Sequence, residues 1–437
     1  MKTCIILLNK FIYFIGKLVS KGSSMPGKIS LKIDKNILKK IKLPKNVIMI
    51  TGSNGKTSTT EIIYSILSKN GYKVGCNVEG SNQIEGVTTV ILNSCNLLGK
   101  VKKDILVLEV DEQYLKFVTK YITPSHLVVT NIYRDQMTRN GHPEYIYNAI
   151  KEGIPNDTTL ILNTDDPLSS LLGYKRENVI YFGMGRNDLD SDQNNSRYND
   201  GVYCPNCKTK LHYEYYHFNH IGKYECENCG HCRHNPQYEI TNIDLQTGKF
   251  IINNEYEIEL NLRSIYNAYN ELAAFSISNT IGLAGEKIVN ELNKYILKND
   301  RVQTFDIEGK KGMLLTSKHE NSISYNQSLR YIVNENKPCT VVIIVDAVSR
   351  KYFTSETSWL WDIDFELLEA DCVKNIILAG KYVHDLGLRF DYTNIDKAKV
   401  IKEANLDEMM KKVKESKNEN IYVVTCFSDR MKFMDRR

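Results

Sequence analysis

The chain has 437 residues, 42% hydrophobic and 25% charged, with a formal net charge of +5. These values exclude a wholly disordered chain, a collagen-like repeat and a polytopic membrane protein, and they leave room for about three domains of ordinary size. The mild positive charge permits an acidic partner without requiring one.

The first predicted element is a helix near the N-terminus, where Ile5, Leu8, Phe11, Ile12, Ile15 and Leu18 recur at helical spacing. Met1-Lys2 followed by an apolar run resembles a secretory leader, but Lys10 and Lys17 interrupt the run and no clean cleavage site follows. Residues 1–45 therefore read as an amphipathic helix and linker, the helix packing on the domain or touching the inner membrane face. A cytoplasmic protein, peripheral at that face, is the localisation this implies. Residues 46–50 are a short apolar run, followed by a glycine-containing turn and a helical stretch. Further apolar runs at 105–110, 127–130, 159–162 and 179–182 alternate with helical stretches, the pattern of a doubly wound parallel sheet. A polar loop covers 185–202, a cysteine-bearing insertion covers 200–236, and antiparallel strands are expected over 237–260 before a helix at 264–283. The central domain is thus expected over 46–305. The strand pattern restarts at 341–346, 375–380 and 420–425, which predicts a smaller α/β domain over 306–437.

The turn after the first strand reads Thr51-Gly52-Ser53-Asn54-Gly55-Lys56-Thr57. A loop between a strand and a helix aims backbone N–H groups and the helix N-terminus at a phosphate. Lys56 would neutralise the β/γ-phosphates and the Thr57 hydroxyl would ligate Mg²⁺. The widespread phosphate-loop pattern would need glycine at position 50, which is Ile50. The shorter T-G-x-N-G-K-T form resembles the ATP loop of the Mur ligase family, which makes amide bonds in cell-wall precursors.

That resemblance extends along the chain. It implies that Thr51, Gly52, Asn54, Gly55, Lys56, Thr57 and Ser58 surround the ATP phosphates and that Glu109 holds Mg²⁺ with Thr57. Asn131–Gln136 resembles the family's N-x-x-x-D-H segment, with Gln136 in place of His. Asn163 and Asp166 stand in an N-x-D-D-P turn on the nucleotide side. Asn267 and Asn270 match a paired-Asn helix. Arg301 matches an arginine that reaches the ATP phosphates, although Asp300 stands where the family has glycine.

Eleven cysteines are present, five of them within 204–232. Cys204-x-x-Cys207 and Cys226-x-x-Cys229 have the spacing of a zinc ribbon, a closed site of four thiolates. Cys232 is a spare thiol or an alternative ligand. Zinc ribbons often bind nucleic acid, but little Lys or Arg surrounds this one, so nucleic acid is not expected as a partner.

A Mur ligase core carrying such a ribbon resembles the MurT branch of the family, the synthetase subunits of lipid II isoglutaminyl synthases. Glu79–Asn82 with Gly86–Thr88, Arg134–Arg139, and Thr357–Glu366 resemble its motifs, with Thr138 replacing an Asp. The resemblance implies amidation of the D-glutamate α-carboxylate in lipid II through an acyl phosphate. Ammonia would come from a separate class I glutaminase subunit of the GatD kind, for which this chain has no nucleophile elbow. Glu356 occupies the position of an Asp implied to orient the partner's catalytic His, and the loop before it carries Arg350 and Lys351. An amino-acid-adding ligase of the Mur or folylpolyglutamate type and a non-catalytic nucleotide-binding scaffold are the competing readings.

Overall fold

The structure is a computed structural model and describes residues 1–18, 23–77, 81–136, 140–260, 262–296, 302–348 and 356–437. Apolar runs without alternation are the sequence of strands buried on both faces, which requires a parallel sheet flanked by helices. β1 (Asn46–Thr51) is such a run, with five of its six residues buried. Around it, β2 (Val74–Cys76), β3 (Ile105–Glu109), β4 (His126–Val129), β5 (Thr159–Asn163) and β6 (Val179–Met184) pair in parallel.

A separate antiparallel hairpin follows, β7 (His212–Phe218) and β8 (Ile221–Glu225). The chain then returns to the main sheet through β9 (Tyr238–Asp244), parallel to β6, and closes the edge with antiparallel β10 (Lys249–Ile252) and β11 (Tyr256–Glu259). The sheet order is β11-β10-β9-β6-β5-β4-β1-β3-β2. Winding runs from β1 outward to β2 and back to β3, then crosses β1 to β4. The direction of winding therefore reverses at β1, and a crevice opens there at the carboxyl ends of the strands.

The first unit comprises Met1–Tyr133, Pro143–Asn195 and Asn199–Leu297. Its helices are α1 (Lys2–Leu18), α2 (Met25–Ile33), α3 (Lys56–Lys69), α4 (Ile84–Ser94), α5 (Leu115–Thr119), α6 (Pro143–Glu152), α7 (Pro167–Leu171), α8 (Ile265–Thr280) and α9 (Gly285–Leu292). Of the two expectations for the N-terminal helix, packing on the domain is met: α1 buries Ile5, Ile6 and Asn9 against α2 and α4. Asn9 donates to the Thr89 carbonyl at 3.3 Å and to Asn93 Oδ1 at 3.0 Å, so the centre of this contact is polar. No described helix is long and apolar enough to cross a membrane.

The second unit takes in Arg134–His142, Ser196–Tyr198 and Lys298–Arg437. Its sheet has the order β12-β13-β17-β14-β15-β16, with β12 (Val302–Ile307), β13 (Lys310–Ser317), β14 (Cys339–Ile344), β15 (Val373–Ala379), β16 (Val400–Glu403) and β17 (Asn420–Cys426). Only the β12–β13 pairing is antiparallel. The pairing of β12 with β13 carries residues 302–305 into this sheet. α10 (Ser322–Glu335), α11 (Val383–Phe390), α12 (Leu406–Glu415) and α13 (Arg430–Met434) cover its faces over two apolar clusters. Asn405 caps α12 by accepting from Asp407 N–H and Glu408 N–H at 2.8 and 3.2 Å, with acids in the first turn and lysines in the last.

Candidate nucleotide loop and metal centre

β1 delivers Thr51 to the crevice, and α3 begins at Lys56. Between them Gly52 and Gly55 adopt φ of 129° and 81°, which favour glycine. At Gly55 a Cβ would lie 2.1 Å from Asn270 Oδ1, so α8 seals that side of the loop. On the other side, Asn131 accepts from Ser53 N–H through its backbone at 2.9 Å and from Asn54 N–H through Oδ1 at 2.8 Å. The Thr130 hydroxyl donates to the Asn54 carbonyl at 2.6 Å, and Ser53 Oγ bridges the backbone of Tyr133. Each such bond contributes about 0.5–1.5 kcal/mol, and together they fix the loop without a ligand.

Lys56 and Glu112 are both buried and pair at 2.9 Å; Lys56 Nζ also donates to the Gly52 carbonyl. The first-turn amides of α3, at Lys56, Thr57 and Ser58, have no carbonyl within the helix to reach. Beside them Glu109 ends β3, in register with Ile50. Asn77 accepts from its N–H and donates to its carbonyl, both at 2.8 Å, while Asn82 Nδ2 donates to Oε1 at 2.9 Å. Oε2 of Glu109 is buried without a hydrogen-bond partner. A buried carboxylate oxygen with nothing to neutralise it is costly in protein and suits a hard cation.

Behind the loop the turn Asn163–Pro167 braces the strand ends. Asn163 Nδ2 donates to the Thr130 carbonyl at 3.2 Å. Asp166 is fully buried, accepts from Leu168 N–H at 2.9 Å as the cap of α7, and accepts from Ile132 N–H at 2.7 Å. Asn267 bonds Glu271 within α8 at 2.6 Å, whereas Asn270 meets Thr59 at 3.5 Å. The structure thus brings Thr51–Ser58, Glu109 and Asn270 to one crevice end, and places Asn163 and Asp166 in the layer beneath. Arg301, Asp300, Thr138, Arg139, Arg350, Lys351, Glu79 and Gly80 lie outside the described residues. Glu112, Thr130, Asn77 and Tyr269 belong to this network and were not singled out by sequence. Glu112 could have been noticed as the last of three acids in Glu109-Val110-Asp111-Glu112.

The four ribbon cysteines converge, with all sulfur atoms within 4.8 Å of one another. Cys204 and Cys229 are 3.6 Å apart and Cys207 and Cys226 3.4 Å, and all are free thiols. Four sulfurs about 2.3 Å from a tetrahedral zinc would lie about 3.8 Å apart, so the donor set fits that ion. Cys232 is outside the group. The ribbon also grips the Thr164–Pro167 turn. Gly222 N–H donates to the Asp165 carbonyl at 3.0 Å, Tyr224 Oη to that of Thr164 at 3.2 Å, and His231 Nε2 to that of Pro167 at 2.9 Å. Arg233 meets Asp165 Oδ1 at 2.6 Å, and Tyr269 Oη donates to Oδ2 at 2.6 Å. Burial works against a charge on Arg233, but the Asp165 carboxylate holds its pKa above the ordinary value.

In the second unit, Asp135 is fully buried, pairs with Lys318 and accepts from Asn321 Nδ2 at 2.7 Å. Arg134 lies over the Tyr198 ring at 4.2 Å and reaches Asp362 at 3.0 Å. Asn326 and Asp364 exchange bonds of 2.9 and 2.8 Å, and buried Arg389 holds Glu366 at 2.8 Å. The Thr357–Glu366 segment is therefore anchored by Trp359, Asp364 and Glu366. Glu356 is exposed ahead of it and accepts from Ser358 N–H at 2.7 Å, which holds its carboxyl below the usual range.

Comparison with known proteins agrees with this architecture. Residues 50–278 match the Mur ligase middle domain and residues 319–429 the MurT ligase C-terminal family. The MurT subunit of lipid II isoglutaminyl synthase (glutamine-hydrolyzing) from Staphylococcus aureus (strain COL) is 33% identical over 392 residues, 89% of this chain and 86% of that protein. The subunit of the same name from Streptococcus pneumoniae (strain ATCC BAA-255 / R6) is 30% identical over 98% of this chain and 95% of its own. Among solved structures, a pseudomurein peptide ligase type C from Methanothermus fervidus superposes with a TM-score of 0.70 at 24% identity, covering 92% of this chain and 79% of that one.

Proposed function

The chain belongs to the MurT branch of the Mur ligase family, and from that premise we propose that it is the ATP-dependent subunit of a glutamine-dependent amidoligase. The substrate is the D-glutamate α-carboxylate in the stem peptide of lipid II. A carboxylate oxygen attacks the γ-phosphorus of ATP, the bond to the β-γ bridging oxygen breaks, and ADP leaves. Ammonia then attacks the acyl phosphate, the C–O bond breaks with loss of phosphate, and a proton leaves nitrogen to give D-isoglutamine. The observation that carries this reading is the match to MurT subunits along nearly the whole chain.

The loop amides and the α3 N-terminus hold the phosphates, and Lys56 leaves the Gly52 carbonyl and Glu112 to neutralise the transferring phosphoryl group. Mg²⁺ bound by Thr57 and Glu109 would add charge neutralisation there. Asn270 walls the loop, while Asn163, Asp166 and Asn267 set its surroundings; Arg301 contributes a further phosphate contact. Zinc closes the Cys204–Cys229 ribbon. A GatD-like class I glutaminase subunit supplies ammonia in a heterodimer, and Glu356 orients that partner's catalytic His. The work is done at the cytoplasmic membrane face, where the lipid-linked substrate presents its peptide.

The test is to combine purified chain, glutaminase subunit, ATP, glutamine and lipid II, and to read the product by mass spectrometry. Amidated lipid II with stoichiometric ADP is expected. Incorporation of an amino acid would establish the amino-acid-adding alternative, and ATP binding without turnover the scaffold.

A further inference from the structure

α1 has two unlike faces. One packs Ile5, Ile6 and Asn9 on the domain. The other leaves Leu7, Phe11, Phe14, Ile15 and Leu18 open, at exposures from 44% to 73%. Leu7, Phe11, Phe14 and Leu18 fall at i, i+4, i+7 and i+11, a single stripe along the helix. Leu97 and Leu98, at 45% and 79% exposure, stand at its start, where Thr3 Oγ1 donates to the Leu97 carbonyl at 3.2 Å. Large apolar side chains on a surface of this kind mark an interaction site rather than ordinary scatter.

Charge identifies the occupant. Residues 1–33 contain six lysines and no Asp or Glu, while the rest of the chain carries a net charge of −1. Lys17, Lys28 and Lys32 are exposed, and Lys10 borders the apolar stripe. A protein partner would meet lysines with discrete acids and would be expected to find some acids in return. A flank of lysines beside Phe and Leu, in a segment without Asp or Glu, fits a surface that is anionic throughout and apolar beneath, which is a bilayer.

We infer that α1 is an interfacial anchor. Its outer stripe inserts among acyl chains of an anionic membrane while Lys10, Lys17, Lys28 and Lys32 lie at the headgroups. The helix stays packed on the domain as it does so, because the stripe and the Ile5–Ile6–Asn9 face are opposite. This stands on the helix and its charge and not on the reaction proposed above, since binding to vesicles involves no nucleotide.

The experiment is sedimentation of the full-length chain with vesicles, with and without its glutaminase subunit. Vesicles of phosphatidylcholine with about one-third phosphatidylglycerol should bind it, vesicles of phosphatidylcholine alone should not, and high salt should weaken binding. Phe11→Ser with Phe14→Ser should lower the partition coefficient at least tenfold while leaving nucleotide binding unchanged. Lys10→Gln with Lys17→Gln should weaken binding to anionic vesicles and reduce the salt dependence, which the remaining lysines keep above zero. Equal binding to both lipids, no binding to either, or unaltered binding by the Phe variant overturns the inference. Loss of vesicle binding when the glutaminase subunit is added assigns the stripe to that subunit. Conversion of a dimer to a monomer by the Phe variant assigns it to a second copy of the chain. Either result refutes the anchor.

Discussion

The phosphate loop and the ribbon sit in one unit, the ribbon directly against the Thr164–Pro167 turn and the loop against Thr130 and Asn131 next to it, yet they are held together by opposite means. The loop is fixed by backbone amides, carbonyls and three neighbouring side chains, all of which the protein supplies. The ribbon brings four thiols to within 4.8 Å with only a small apolar cluster around them. One is complete before its ligand arrives. The other has the donor set of a metal knuckle, a class in which metal binding and folding are one equilibrium. Preorganisation is thus spent at the loop, whereas a metal bound by the four thiols would supply rigidity to the insertion that grips the turn.

The strongest way to break the comparison is at Lys56. Lys56→Ala should lower turnover by roughly a thousandfold or more, because the charge that stabilises the transferring phosphoryl group is lost. Near-normal amidation with ammonium would show that the loop does not handle phosphate.

Arg233→Ala probes the other side. It leaves Asp165 buried without its cation, which should cost about 3–5 kcal/mol by urea denaturation. If stability is unchanged, the ribbon does not brace the turn. Cys207→Ser sharpens the same contrast. Zinc should fall from about one per chain by elemental analysis, with a ribbon that protease cuts readily. Nucleotide affinity should drop roughly tenfold, or about 1.4 kcal/mol, through the loosened Thr164–Pro167 turn. Zinc loss with no change in affinity would uncouple the two regions.

The smallest effect is expected at Glu356, in the other unit. Glu356→Gln should slow the glutamine-driven reaction several-fold and leave the ammonium-driven one intact, because the lost charge acts on a partner imidazolium. Equal loss of both would move Glu356 to the ligase chemistry.

Much of this could be read in advance because it follows from local rules. Apolar runs without alternation gave the parallel strands, two C-x-x-C pairs gave the converging thiols, and a glycine-flanked Lys after a strand gave the loop. What escaped depends on distant partners. Nothing near Lys56 points to Glu112, and nothing in the ribbon announces that Tyr224, His231 and Arg233 meet the 164–167 turn. Asp166 shows the same limit. Its motif marks it as important, but only the fold reveals that both its oxygens are engaged by backbone N–H groups. The helical period of α1 was plain, but which apolar residues stay outside required its packing on α2 and α4.

The contact of Asn270 with Gly55 and Thr59 has a consequence in time. Asn270 and Thr59 are 211 positions apart. At about 5–20 residues per second, a ribosome needs on the order of 10–40 s between releasing one and the other. For that interval the nascent chain carries the whole phosphate-loop sequence with one wall missing. Gly55, a residue that tolerates many conformations, occupies the unsupported side, so competence to hold nucleotide arrives late, when α8 docks. A polypeptide interrupted before α8 would carry the loop's sequence without its ability to bind.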